Sequence, residues 1–107
     1  MLKRMLFLPL LSGILTAIPV WGLEENRGEL GQRLFESTAL GATGKSCASC
    51  HPGGKGLQET ESYDDGQLRE MINFCIRDAL KGKPLTTGSQ ELEALYAYVR
   101  SLAAGRK

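Results

Sequence analysis

Three stretches of the chain carry apolar residues at helical spacing, and a fourth is apolar almost throughout. The fourth comes first. Leu6 to Ile18 is an apolar run behind Lys3 and Arg4, and Val20-Trp21-Gly22 closes it with small residues at its two key positions. That layout is a secretory signal peptide over residues 1–22, with cleavage expected after Gly22. A membrane span needs about 20 apolar residues. This run is shorter, and Pro9 and Pro19 interrupt it, so no stable membrane insertion is expected after cleavage.

The first helical stretch is Leu23 to Phe35. Glu24, Glu25 and Glu29 sit early in it, where negative charge suits the helix dipole. Leu30, Leu34 and Phe35 share a face with Gly31. Glycine inside a helix costs about 1 kcal/mol relative to alanine, so Gly31 marks a close helix–helix contact. No such contact accounts for Gly28. The second stretch starts at a cap, Asp64 or Asp65, and runs to about Leu80. Its stripe is Leu68, Met71, Ile72, Cys75, Ile76, Ala79 and Leu80, with spacings of three and four. Cys75 lies near the centre of that stripe, Met71 one turn earlier towards its edge, and Asn73 on the opposite side. Lys81-Gly82-Lys83-Pro84 stops the helix. Ser89 caps the third stretch, with Glu91 and Glu93 in its first turn. Leu92, Leu95, Tyr96, Val99 and Leu102 form its apolar face, with Tyr98 beside it, and Arg100, Arg106 and Lys107 suit its C-terminal end.

The connections read differently. Residues 37–45 and 52–57 are glycine-bearing loops, and 58–63 is polar and extended or turn-like. The glycine-rich 52–57 segment lacks the spacing of a phosphate-binding loop. No strand pattern appears, so the fold class is all-α, in one domain over residues 23–107.

Charge narrows the partners. The full chain has 13 basic and 12 acidic residues. Cleavage removes Lys3 and Arg4 and no acid, which leaves a formal charge of −1 and no basic run. Nucleic-acid binding is not expected. A mature chain of about 85 residues is marginal without a staple.

Cys47-Ala48-Ser49-Cys50-His51 supplies one. Two cysteines two residues apart, followed directly by histidine, form the attachment signature of c-type haem. Each thiol adds across a haem vinyl group, and one turn of chain reaches both vinyls. The next residue then falls under the iron, where a neutral imidazole nitrogen is a good proximal ligand. A zinc site would need two further ligands, yet only one other cysteine exists and His51 is the only histidine. A redox dithiol would sit beside a βαβ pattern, which is absent. A disulfide across two residues would be strained and would leave His51 without a role. One covalent haem c is therefore expected, held by Cys47 and Cys50 and ligated by His51. The secretory route agrees, because bacteria attach c-type haem outside the cytoplasm. The expected location is the periplasm. It also leaves Cys75 as an odd cysteine in an oxidising compartment: reactive, paired or ligated.

With these motifs in this order, the mature chain resembles a class I cytochrome c. Gly31-x-x-x-Phe35 is similar to that family's N-terminal helix, and Leu95-Tyr96-Ala97-Tyr98-Val99 to its C-terminal helix. The resemblance implies three main helices and loops wrapped around the haem, with Gly31, Phe35, Leu95 and Tyr98 at the helix crossing. Ile72-Asn73-Phe74-Cys75, Gly82-Lys83-Pro84-Leu85 and the Ser89–Tyr98 segment are similar to the haem domains of thiosulfate dehydrogenase and the sulfur-oxidation haem subunits. That resemblance implies Cys75 as the distal iron ligand. Met71 as a thioether ligand and an open iron are the alternatives. The sequence departs from those enzymes in carrying one haem motif where they generally have a second haem domain. The reading that follows is a periplasmic mono-haem electron carrier docking with redox partner proteins. The alternatives are a haem subunit or enzyme of thiosulfate or sulfur-compound oxidation, and a small-ligand-binding haem sensor.

Overall fold

A computed structural model describes residues 21–105, with side chains from Arg27 onward. Residues 1–20, which hold most of the expected signal peptide, and Arg106 and Lys107 lie outside the described residues. The described chain is helical and contains no strand, in agreement with the all-α expectation. The elements are α1 (Trp21–Glu36), α2 (Cys47–Cys50), 3-10 turns at Pro52–Gly54 and Gln58–Ser62, α3 (Asp65–Phe74) and α4 (Gln90–Ala103). A π turn, Cys75–Ala79, continues α3. No helix among the described residues is long and apolar enough to cross a membrane.

Local chemistry sets the helix starts. The Asp64 carboxylate accepts from the Gln67 amide at 2.7 Å, and the Ser89 hydroxyl from the Leu92 amide at 3.1 Å. Each satisfies one of the orphan donors at a helix N-terminus. Of the two candidate caps for α3, Asp64 is the cap. Asp65 instead accepts from the Tyr96 hydroxyl at 2.5 Å and from Arg100 at 3.2 Å.

α1 and α4 make the most extensive helix–helix contact. Gly31 is the reason they approach so closely. A Cβ there would overlap the Ala94 carbonyl oxygen and lie 2.7 Å from the Tyr98 Cβ. One turn on, the Phe35 and Tyr98 rings meet edge to face, with centroids 5.4 Å apart. Nothing lies within 4 Å of a Cβ at Gly28, so packing does not explain that glycine.

The core is Phe35 from α1, Leu68 and Ile72 from α3, Ile76 and Leu80 just beyond it, and Leu92, Leu95, Val99 and Leu102 from α4. Burying each such side chain contributes about 1.5–3 kcal/mol. Two backbones touch where the π turn ends. A Cβ at Gly41 would overlap the Leu80 carbonyl, and one at Gly82 would overlap the Leu40 carbonyl. The Ala42 amide donates to the Leu80 carbonyl at 2.8 Å. The loop before α2 is thus fixed to the far end of the segment that carries Cys75.

One sequence expectation is narrowed and one needs correction. Residues 58–63 take the turn-like of the two expected forms: Gln58–Ser62 is a 3-10 turn. The Thr60 hydroxyl donates to the Leu57 carbonyl at 2.6 Å and stabilises it. The second helix does not stay α-helical to Leu80. Its bonding changes register at Cys75, whose carbonyl accepts from the Leu80 amide at 3.1 Å. Arg100 sits in the last turn of α4, but its guanidinium reaches outward to the carbonyls of Thr60 (2.8 Å) and Tyr63. It thereby closes the C-terminal end of the 3-10 turn. Arg69 lies over the Tyr96 ring at 4.1 Å and holds Glu93 through two hydrogen bonds of 2.7 and 2.8 Å. This cluster ties α4 to the start of α3.

A candidate haem cleft

α2 is one turn long, too short to hold itself together. Its ends explain its existence. The Ser46 hydroxyl accepts from the Ser49 amide at 3.2 Å, while the Ser49 hydroxyl accepts from the Ser46 amide at 2.9 Å. This reciprocal capping box fixes the turn. The turn in turn places Cys47 and Cys50 along one edge of an apolar cleft.

His51 follows at the C-terminal end of α2 and lines the same cleft. Its Nδ1 lies 2.9 Å from the Lys55 carbonyl oxygen. A carbonyl only accepts, so Nδ1 is the donor, and in the neutral ring Nε2 keeps a free lone pair. That is the tautomer a metal-ligating imidazole needs, with the backbone acceptor fixing the ring. Gly56 makes the arrangement possible. Its φ of +86° turns the chain back, and a Cβ there would stand 3.5 Å from His51 Nδ1. The 52–57 loop is therefore a support for the histidine, a role its glycines alone did not reveal.

The other side of the cleft comes from α3 and the π turn. Leu68 and Ile72 form its base, and Met71, Cys75 and Ala79 open onto it. Phe35, Leu57, Leu95 and Val99 complete an almost wholly apolar lining. The space is about 630 Å³ counted out to its open mouth. Cys47, Cys50, His51, Cys75 and Met71 all line it, so the structure brings every sequence-predicted site residue together. Cys47, His51 and Cys75 are half-buried, and Cys50 is exposed.

The thiols feel one another. Burial pushes the Cys47 thiol up to about 11, and the nearby Cys75 sulfur adds to the rise. Burial, then Asp78 and Cys50, raise Cys75. Burial thus favours the neutral thiol at both positions. Among the described residues, no group of three or more His, Cys, Asp or Glu side chains gathers around a metal position.

Asn73 faces away from this cleft, as its helix position requires. Its side-chain amide donates to the Leu85 carbonyl at 2.9 Å and accepts from the Leu85 amide at 2.8 Å. Asn73 is a clamp on the 81–88 loop. Its position opposite the apolar stripe, which the spacing of the helix indicates, assigns it no role. A polar residue on the rear of an amphipathic helix, facing a Pro84-bearing loop, was the only signal.

Paired thiols on one turn, an oriented imidazole and an apolar cleft fit a flat apolar ring bonded at one edge and ligated through iron. These features define a c-type haem domain. The cytochrome c domain family described as SoxA/TsdA matches residues 30–107, and the chain belongs to that family. Curated proteins and solved structures give no significant match. The chain is accordingly a c-type haem electron-transfer protein with covalently bound haem c, and Cys47 and Cys50 fit the attachment motif.

Proposed function

We propose that this protein is a periplasmic mono-haem electron carrier, with His51 as the proximal and Cys75 as the distal iron ligand. The observation that carries the reading is that His51, just after α2, and Cys75, at the start of the π turn after α3, line one cleft with the attachment pair. The haem supplies one-electron chemistry. The protein's residues do the rest. Cys47 and Cys50 anchor the ring, and the Lys55 carbonyl holds the His51 ring in its ligating tautomer. The apolar walls exclude water and so lower the local dielectric, which makes the iron's charge responsive to its ligands. An anionic thiolate stabilises the ferric state and lowers the reduction potential.

Family membership favours a second reading: a haem subunit or enzyme of sulfur-compound oxidation, with Cys75 at the reacting sulfur. One experiment separates the two. Purified holoprotein is incubated with thiosulfate and an artificial electron acceptor. The carrier reading expects no turnover and reversible one-electron exchange with one haem per chain. A clear steady-state rate overturns it.

A further inference from the structure

α3 and the π turn place two sulfur side chains, Met71 and Cys75, on the cleft one helical turn apart. Neither joins the packed core, which takes Leu68, Ile72 and Ile76 from the same helical run. Met71 is 37 % exposed, so it is not filling a core gap, the usual work of methionine. We propose that the distal side is a paired sulfur site, in which Cys75 ligates ferric iron and Met71 replaces it when the iron is ferrous. The proposal rests on the reading of Cys75 as the ferric ligand.

Two observations carry it. The first is chemical: an anionic thiolate favours ferric iron and a neutral thioether favours ferrous iron, and both donors border one space. The second is mechanical. Met71 sits within regular α-helix, whereas Cys75 sits where the bonding changes register. The Cys75 amide is shared between the Met71 and Ile72 carbonyls, and its own carbonyl takes the Leu80 amide five residues on. π turns of this kind hold an extra residue in a helix. The segment beginning at Cys75 can therefore yield without displacing Met71, whose unbranched side chain has the rotatable bonds to reach inward.

A one-electron donor, a partner redox protein or dithionite, reduces the iron. The bond from iron to the Cys75 sulfur breaks with its electron pair left on sulfur, which takes a proton from solvent. A lone pair on the Met71 sulfur forms the new bond. Reoxidation returns the electron to an acceptor and reverses both steps.

The test uses full-chain holoprotein carrying 13C in its methionine methyl groups, with Met71→Leu, a volume-conserving change, as the comparison. In the ferrous wild type, the Met71 methyl should move upfield of the protein envelope through the haem ring current. In Met71→Leu, that signal should vanish and carbon monoxide should bind the ferrous form about tenfold faster or more, because no internal sulfur competes. The ferric paramagnetic resonance of Met71→Leu should match the wild type. A Met71 methyl at its ordinary position in the ferrous state overturns the proposal, as does an unchanged carbon monoxide rate. A ferric signal unaltered by Cys75→Ser overturns the underlying thiolate reading instead, so the two failures are distinguishable.

Discussion

Replacing Gly31 with alanine adds one methyl group at the α1–α4 crossing, and its cost follows from the geometry. The new Cβ would overlap the Ala94 carbonyl oxygen and stand 2.7 Å from the Tyr98 Cβ. Ordinary contact begins near 3.4 Å, so the helices must part by at least roughly 0.7 Å, and by more at the closer Ala94 oxygen. Ala94 presents backbone, which cannot swing aside. Overpacking of this kind costs about 1–3 kcal/mol. Parting the helices also weakens the Phe35–Tyr98 edge-to-face pair, worth about 0.5–1.5 kcal/mol. Against this, alanine improves helix propensity by about 1 kcal/mol. The net expectation is a loss of about 1–3 kcal/mol. That is a large share of the roughly 4–13 kcal/mol a domain of this size possesses. Gly28→Ala, three residues earlier in the same helix, meets nothing within 4 Å. It should gain about 0.5–1 kcal/mol from propensity alone. Equilibrium denaturation of both holoproteins by urea, followed by far-ultraviolet circular dichroism, gives both values. The signs must be opposite. A Gly31→Ala protein as stable as the wild type, or a destabilised Gly28→Ala, refutes the reasoning.

Three further outcomes follow from named contacts. Asn73→Ala leaves the half-buried Leu85 amide and carbonyl without their partners and should cost about 1–3 kcal/mol. Thermal melting checks it, with Asn73→Asp expected to recover only the bond accepted from the Leu85 amide. Gly56→Ala forces a side chain into a backbone of φ +86°, a strain of about 1–2 kcal/mol, and loosens the His51–Lys55 hydrogen bond. Potentiometry should show a raised reduction potential, because a less basic imidazole supports ferric iron less well. The third concerns acid. The hydrogen bond from Arg69 holds Glu93 below its ordinary value, and those from Tyr96 and then Arg100 do the same for Asp65. A carboxyl with a lowered folded-state value contributes stability above its unfolded value of about 4, lost as pH falls through the folded value. Melting temperatures of Glu93→Gln and Asp65→Asn should lie below wild type near neutrality and converge with it in strong acid. A gap that persists there would show that lost packing, not charge, is responsible.

Which parts were legible in the sequence depends on how local the cause is. The Cys47–His51 motif and the Ser89 cap are decided within four residues, and each sits where its spacing requires. Gly31 was legible because an interior glycine needs a partner, although nothing local identified Ala94 and Tyr98 together as that partner. The π turn was not legible. The stripe from Leu68 to Leu80 fits an α period throughout, and the register change that begins at Cys75 closes on Leu80, which Ala42 holds from some forty residues away in the chain. The Asn73 clamp and the outward reach of Arg100 were hidden for the same reason. Their acceptors are backbone carbonyls of distant segments, which carry no residue-type signal. In the cleft, the helical spacing already put Met71 and Cys75 on one stripe, but only the fold shows both lining the cleft and both outside the buried core.

The central claim is that Cys75 ligates the ferric iron opposite His51. Its most direct test is the low-temperature electron paramagnetic resonance spectrum of the ferric holoprotein beside that of Cys75→Ser. A low-spin thiolate signature is expected in the wild type and should be lost in the mutant, with a higher reduction potential in the mutant. A thioether-type signature unchanged by the mutation would contradict it, move the ferric ligand to Met71 and leave Cys75 an unligated thiol on the cleft wall.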